Sequence, residues 1–126
     1  MRVKRIYDPY EEGDGERILV DGLWPRGISR EQSHLAAWAR ELAPSAQLRQ
    51  WFGHDPSRWD EFRQRYRQEL QEPDKQAALL RLVQLARSRT VTLLYAARDK
   101  EHNQAVVLRE LLAELCRGEP GRTEPL

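Results

Sequence analysis

The sequence predicts an α/β fold, a single compact domain in which a small, mostly parallel sheet is flanked by helices. Residues 91–97 are almost uninterruptedly apolar, as a strand covered on both faces should be. They run through the polar segment Arg98-Asp99-Lys100-Glu101-His102-Asn103 into Val106, Leu108, Leu111, Leu112 and Leu115, which recur with helical spacing. Two earlier strand-like segments precede a long helical stretch, so the chain's last unit reads helix, strand, helix. With 126 residues there is room for one core but not for two.

Residues 3–7 alternate apolar and charged side chains and read as a strand half open to water, stopped by Asp8-Pro9 and the turn Gly13-Asp14-Gly15. Ile18-Leu19-Val20 is the second strand. Two glycines and a proline in Asp21-Gly22-Leu23-Trp24-Pro25-Arg26-Gly27 end it in an irregular, tightly turned loop. Ser29-Arg30-Glu31-Gln32 has the form of a capping box. Leu35, Trp38, Ala39 and Leu42 continue with a helical period, which predicts one helix up to the break at Ala43-Pro44-Ser45. Ser45 then caps a brief helix through Leu48, Trp51 and Phe52 that breaks at Gly53-His54. Asp55-Pro56 supplies an N-cap and a first-turn proline for an amphipathic helix carrying Trp59, Phe62, Tyr66 and Leu70 inward. After Pro73-Asp74 another helix buries Leu79, Leu82, Val83 and Ala86, and Arg87-Ser88-Arg89 leads out of it. The domain is expected over residues 1–116. The glycines, prolines and charges of residues 117–126 predict a flexible tail.

Composition narrows the function classes. A formal charge of +1 gives no global case for nucleic acid or an acidic membrane surface. The arginines of residues 58–67 alternate with Asp60, Glu61 and Glu69, the pattern of a solvated helix face, so no nucleic-acid partner is expected. No apolar run approaches the ~20 residues of a membrane span, and the first residues lack the apolar core of a signal peptide, so no membrane partner is expected. A lone cysteine, Cys116, cannot form an internal disulfide and suits a reducing compartment; a cytoplasmic protein is the expectation.

Three irregular places hold polar residues that a core alone does not need: residues 21–27, Gly53-His54-Asp55, and residues 98–103. Two of them follow strands. If those strands are parallel neighbours, their exits share one edge of the sheet, where ligands collect beside the N–H groups of the following helix. The expected ligand is a small anion. Arg26 and Arg98 are candidates to grip it, with Asn103 and the last helix's N-terminus adding donors, Asp21 orienting a cation, and Trp24 and Tyr95 as walls. Arg26 could equally tie loops together by pairing Asp21 or Asp55. His54 and His102 are the candidates for proton transfer. Against that role, His54 could simply pack on Trp59 one turn into its helix, and His102 could be an exposed first-turn residue.

Other chemistries are weaker. His54, His102 and one of Asp21, Asp55 or Asp99 would make a two-histidine, one-carboxylate metal triad, but no metal-binding spacing is present and no metal is assigned. Walker and Gly-x-Gly-x-x-Gly patterns are missing, so nucleotide binding by a standard phosphate loop is not expected, and the sequence identifies no particular cofactor. No cysteine occupies the residue 98–103 loop and no Gly-x-Ser-x-Gly elbow occurs, which disfavours thiol and serine catalysis. The rival reading is an interaction module, in which Trp24, Trp38, Trp51 and Trp59 with neighbouring arginines form a homodimer or partner surface.

Asp21-Gly22-Leu23-Trp24-Pro25-Arg26-Gly27, Leu42-Ala43-Pro44-Ser45, Trp51-Phe52-Gly53-His54-Asp55-Pro56 and Leu93-Leu94-Tyr95-Ala96-Ala97-Arg98-Asp99 with His102-Asn103 resemble the bacterial YeaO-like family. The resemblance runs from Val3 to about Leu112. It implies a small cytoplasmic α/β domain and carries no reaction with it.

Overall fold

β4 (Val91–Tyr95) is buried along its whole length because strands flank it on both sides and side-chain layers cover both faces. The computed structural model describes residues 1–118, and within them β1 (Arg2–Arg5), β2 (Glu16–Leu19), β3 (Ala37–Trp38) and β4 form a wholly parallel sheet in the order β1-β4-β2-β3. Val3 of β1 and Ile18 of β2 both stand opposite Leu93. The helices are α1 (Arg30–Ser33), α2 (Ala46–Phe52), α3 (Trp59–Glu69), α4 (Pro73–Ser88) and α5 (Gln104–Gly118).

Strand alternation sorts the side chains into two layers. Ile18, Val20, Val91, Leu93 and Tyr95 join Phe62, Tyr66, Leu79, Val83 and Leu108 of the helices in the main core. Leu19 and Leu94 turn the other way and, with Ile6, form a smaller cluster covered by Trp24, Ile28, Leu35 and Trp38. Toward the strands' amino ends that second face becomes ionic. Arg17 bonds the carboxylate of Asp14 at 2.5 Å with both side chains essentially out of water, and Lys4 adds a contact of 2.9 Å. Burial alone would raise the Asp14 carboxyl, but the bonds from Lys4, the Glu11 N–H and Arg17 hold it below the usual carboxylate range.

The helices of the second half follow their local signals. Ser45 accepts the Leu48 N–H at 3.1 Å, and Asp55 accepts the Ser57 N–H at 3.0 Å ahead of a short 3-10 turn over Pro56–Arg58. Phe62, Tyr66 and Leu70 are buried as expected, with Trp59 partly so. No helix among the described residues is long and apolar enough to cross a membrane.

One expectation needs correction. The helix predicted from the Ser29 capping box stops after Ser33, although the box itself forms, with Gln32 N–H to Ser29 Oγ at 3.0 Å and the reciprocal bond at 3.1 Å. His34 takes a left-handed φ of 50°, and the chain then lies along the open edge of β2 as β3. The Ala36 and Ala39 N–H groups satisfy the Arg17 and Leu19 carbonyls, both at 2.8 Å, so the pull of an unpaired sheet edge overrides a helical period. α5 runs to Gly118, and residues 119–126 of the expected tail lie outside the described residues.

Candidate functional site

Because β2 and β4 are parallel neighbours, their carboxyl ends open on the same edge, and Asp21 comes to lie against the first residue beyond β4. One Asp21 carboxylate oxygen accepts the Ala96 N–H at 3.1 Å. The other accepts the side-chain amide of Gln104, the first residue of α5. The Trp38 indole N–H fixes the Asp21 carbonyl at 2.7 Å. This stitched corner is the floor of a cleft of about 330 Å³, walled by α2, the start of α3 and the segment entering α5.

Arg49 of α2 and His54 beyond it line the cleft and act electrostatically on Asp21. The Arg49 guanidinium lies close against Gly22, where a β-carbon would stand only 3.3 Å from its Cζ. Its Nε is buried and has no hydrogen-bond partner. Burial raises the Asp21 carboxyl most; the Ala96 and Gln104 bonds and the charges of Arg49 and His54 pull it partly back, leaving a pKa of about 6 against an ordinary 3.8. Asp21 is therefore a carboxyl that changes protonation near neutral pH.

His54 is exposed and held at φ 57°, directly after Gly53 at φ 55°. A left-handed L-residue costs about 1–2 kcal/mol, and such strain gathers at functional positions. His102, which also lines the cleft, pairs its Nδ1 with Asp99 Oδ2 at 2.8 Å and sets its ring edge-on to Trp59. Bonds from the Glu101 N–H and from His102 hold the Asp99 carboxyl below its usual range.

The match to known proteins covers these residues. The chain fits the family description "Inactive DUF488-N3 subclade", DUF488-N3i, over residues 1–125. It belongs to the DUF488-N3i family. The uncharacterised protein YeaO of Escherichia coli is 40% identical over 115 residues, 91% of this chain and 98% of the relative. Uncharacterised proteins of Mycobacterium tuberculosis and Mycobacterium bovis are each 40% identical over 112 residues, 89% of this chain and 92% of theirs. The YeaO-like resemblance of the four motifs is thus a family relationship. No solved structure matches the chain.

Of the residues singled out in this DUF488-N3i sequence, Asp21, His54, His102 and Asn103 come together around the cleft. Asn103 is buried and caps α5, its Oδ1 accepting the Val106 N–H at 3.2 Å and its Nδ2 donating to the Asp99 carbonyl at 2.9 Å. His102 therefore precedes the cap and is not inside the first turn. Tyr95 is buried in the main core, where desolvation pushes its phenol up. Trp24 turns to the second face of the sheet, its N–H on the Ile28 carbonyl at 2.7 Å and the Arg30 guanidinium over its ring. Arg26 and Arg98 are exposed and outside the cleft lining, and the Arg26 carbonyl serves only to accept the Tyr7 hydroxyl at 2.8 Å.

His54 does not pack on Trp59; that surface is taken by His102. Asp55 pairs with Arg58 and not with Arg26. Among the described residues no group of three His, Cys, Asp or Glu is placed to hold a metal ion, so the two-histidine triad does not assemble. The tryptophans are largely engaged within the fold: Trp38 beneath Arg30 and Arg40, Trp51 between Arg58 and Arg65. Sequence reasoning missed Arg49 and Gln104. The signal for Arg49 was a charge sharing a face with Phe52 three residues on, where an apolar side chain would complete the stripe.

Proposed function

We propose that this DUF488-N3i protein binds a small anionic molecule in the cleft at the carboxyl ends of β2 and β4, as a binder and not a catalyst. One observation carries the reading: among the described residues the buried Arg49 Nε has no hydrogen-bond partner, beside a corner where the Asp21 carboxylate is already bonded by Ala96 and Gln104. A buried guanidinium N–H left unmade costs about 1–3 kcal/mol; Arg63 Nε is left unmade too, but its guanidinium is already held by Glu110, whereas among the described residues Arg49 has no side-chain hydrogen bond, so an anion at this corner would satisfy it. The start of α5 adds the positive end of a helix dipole. Arg49 therefore takes the role first given to Arg26 and Arg98.

Proton transfer has one observation behind it, the His102–Asp99 pair. Binding is favoured over turnover because the family description reads inactive and because, among the described residues, no hydroxyl, thiol or amine side chain of Ser, Thr, Cys or Lys lines the cleft beside Asp21 and the histidines. Thermal unfolding in the presence of phosphate, acetate or benzoate at constant ionic strength tests the reading. At least one anion is expected to raise the Tm of the wild type and of Arg26→Ala and Arg98→Ala, but not of Arg49→Ala. An unchanged response in Arg49→Ala, or no response in any protein, refutes it.

A further inference from the structure

Resting on that reading, we propose that the cleft takes an oxyanion carried on an apolar body, and that Asp21 takes up a proton as the anion enters. The charge balance of the cleft requires this coupling. Among the described residues Arg49 from α2 is the one fixed cation in the lining, and its charge already acts on the Asp21 carboxylate, so the empty cleft is close to neutral. The other groups around Asp21 do not supply a second fixed cation. From α3, the buried Tyr66 lies in its field, with Glu69 behind; α5 offers the neutral Gln104, the segment before it the His102–Asp99 pair, and the loop after α2 the exposed His54. A monoanion entering beside an ionised Asp21 would leave one uncompensated negative charge against apolar walls, which is strongly unfavourable.

Protonation removes that charge and turns Asp21 from a repelling neighbour into a hydrogen-bond donor. Gln104 suits both states, because its amide can donate to a carboxylate or, turned over, accept from a carboxylic acid. The Ala96 N–H holds the carboxyl in place either way. The remaining lining sets the ligand's other half. Leu23, Pro44, Phe52, Phe62, Ala96 and Ala97 present hydrocarbon beside the charged corner, and Leu23 is 64% exposed at the mouth. A bare, strongly hydrated ion leaves that surface unused; an aryl or alkyl carboxylate or phosphate covers it.

The test is calorimetric titration of the wild type with benzoate near pH 7 in buffers of different ionisation enthalpy. The expected result is uptake of close to one proton per benzoate bound, with affinity falling up to tenfold per pH unit above pH 7. Asp21→Asn should bind benzoate with no proton uptake and little pH dependence. His54→Gln and His102→Gln should keep the proton uptake whatever they do to affinity. Benzoate binding without proton uptake in the wild type overturns the coupling while leaving the binding reading intact. Uptake that disappears in either histidine variant assigns the proton elsewhere and also overturns it. Failure of benzoate to bind while phosphate or acetate raises the Tm overturns the apolar body; failure of all three removes the binding reading itself. The wild-type buffer series decides the coupling even if Asp21→Asn does not fold.

Discussion

Asp21→Asn should make the protein more stable at alkaline pH, although it alters the centre of the candidate site. The folded chain holds the Asp21 proton up to about pH 6, whereas the unfolded chain releases it near 3.8. Between those values the folded state binds more protons, so stability falls as pH rises through the window and is lower throughout its alkaline side. The displacement of the pKa corresponds to about 3 kcal/mol. Asparagine carries no charge to desolvate; its oxygen can accept the Ala96 N–H and its amide can face Gln104, at a loss of about 1 kcal/mol for imperfect geometry. The variant is therefore expected about 0.5 kcal/mol less stable than wild type at pH 4 and about 2 kcal/mol more stable at pH 8. Urea unfolding followed by tryptophan fluorescence across that range measures the difference. Asp14, Asp55, Asp99 and Glu114, all with lowered pKa values, tilt both curves alike and cancel in it. A difference curve that is flat from pH 4 to 8, or one that rises toward acid, refutes the reasoning.

His54→Gly relieves a left-handed backbone worth about 1–2 kcal/mol and gives back about 0.5–1 in chain entropy, so stability should hold or rise by up to about 1 kcal/mol while benzoate affinity falls. A clear drop in urea midpoint would show that the ring supports the fold. Arg17→Met strips the buried Asp14 carboxylate of one partner, with Lys4 remaining, and should cost about 3 kcal/mol; adding Asp14→Asn should recover much of it, and an additive double variant would deny the pairing. Gly15→Ala places a β-carbon 2.3 Å from the Thr90 carbonyl oxygen at a φ of 67°, and should lower unfolding free energy by about 2–4 kcal/mol in the same assay. Trp38→Phe deletes the indole bond to the Asp21 carbonyl; about 1 kcal/mol of stability and a larger share of benzoate affinity should go with it, and unaltered affinity would free Trp38 of any positioning role.

What the sequence made legible, and what it hid, follows from the range over which each feature is decided. β4, α2, α3 and α4 carry their instructions locally: an apolar run broken only by Thr92, the Ser45 and Asp55 caps, and the inward stripes of Phe62, Tyr66 and Leu70 and of Leu79, Leu82 and Val83. The gathering of Asp21 with His102 and Asn103 was also legible, since two strand exits on parallel neighbours must share an edge. Arg49 and Gln104 were not, because each owes its place to Asp21 across the sheet and neither sits in a motif of its own.

The misread helix shows how closely the two kinds of information are joined. Leu35 and Trp38 sit at a spacing that serves a helix as well as it serves the sheet's second face, and only the open edge of β2 decides between them. Once the chain pairs with that edge, the register puts Trp38 beside Leu19, two residues ahead of Asp21, and the indole reaches the Asp21 carbonyl. Continued as a helix, residues 35–42 would turn Trp38 away from the strand exit and leave that carbonyl without its donor. Completing the sheet edge and fixing the backbone of Asp21 are thus one event, which is why the element least visible in the sequence bears most directly on the site.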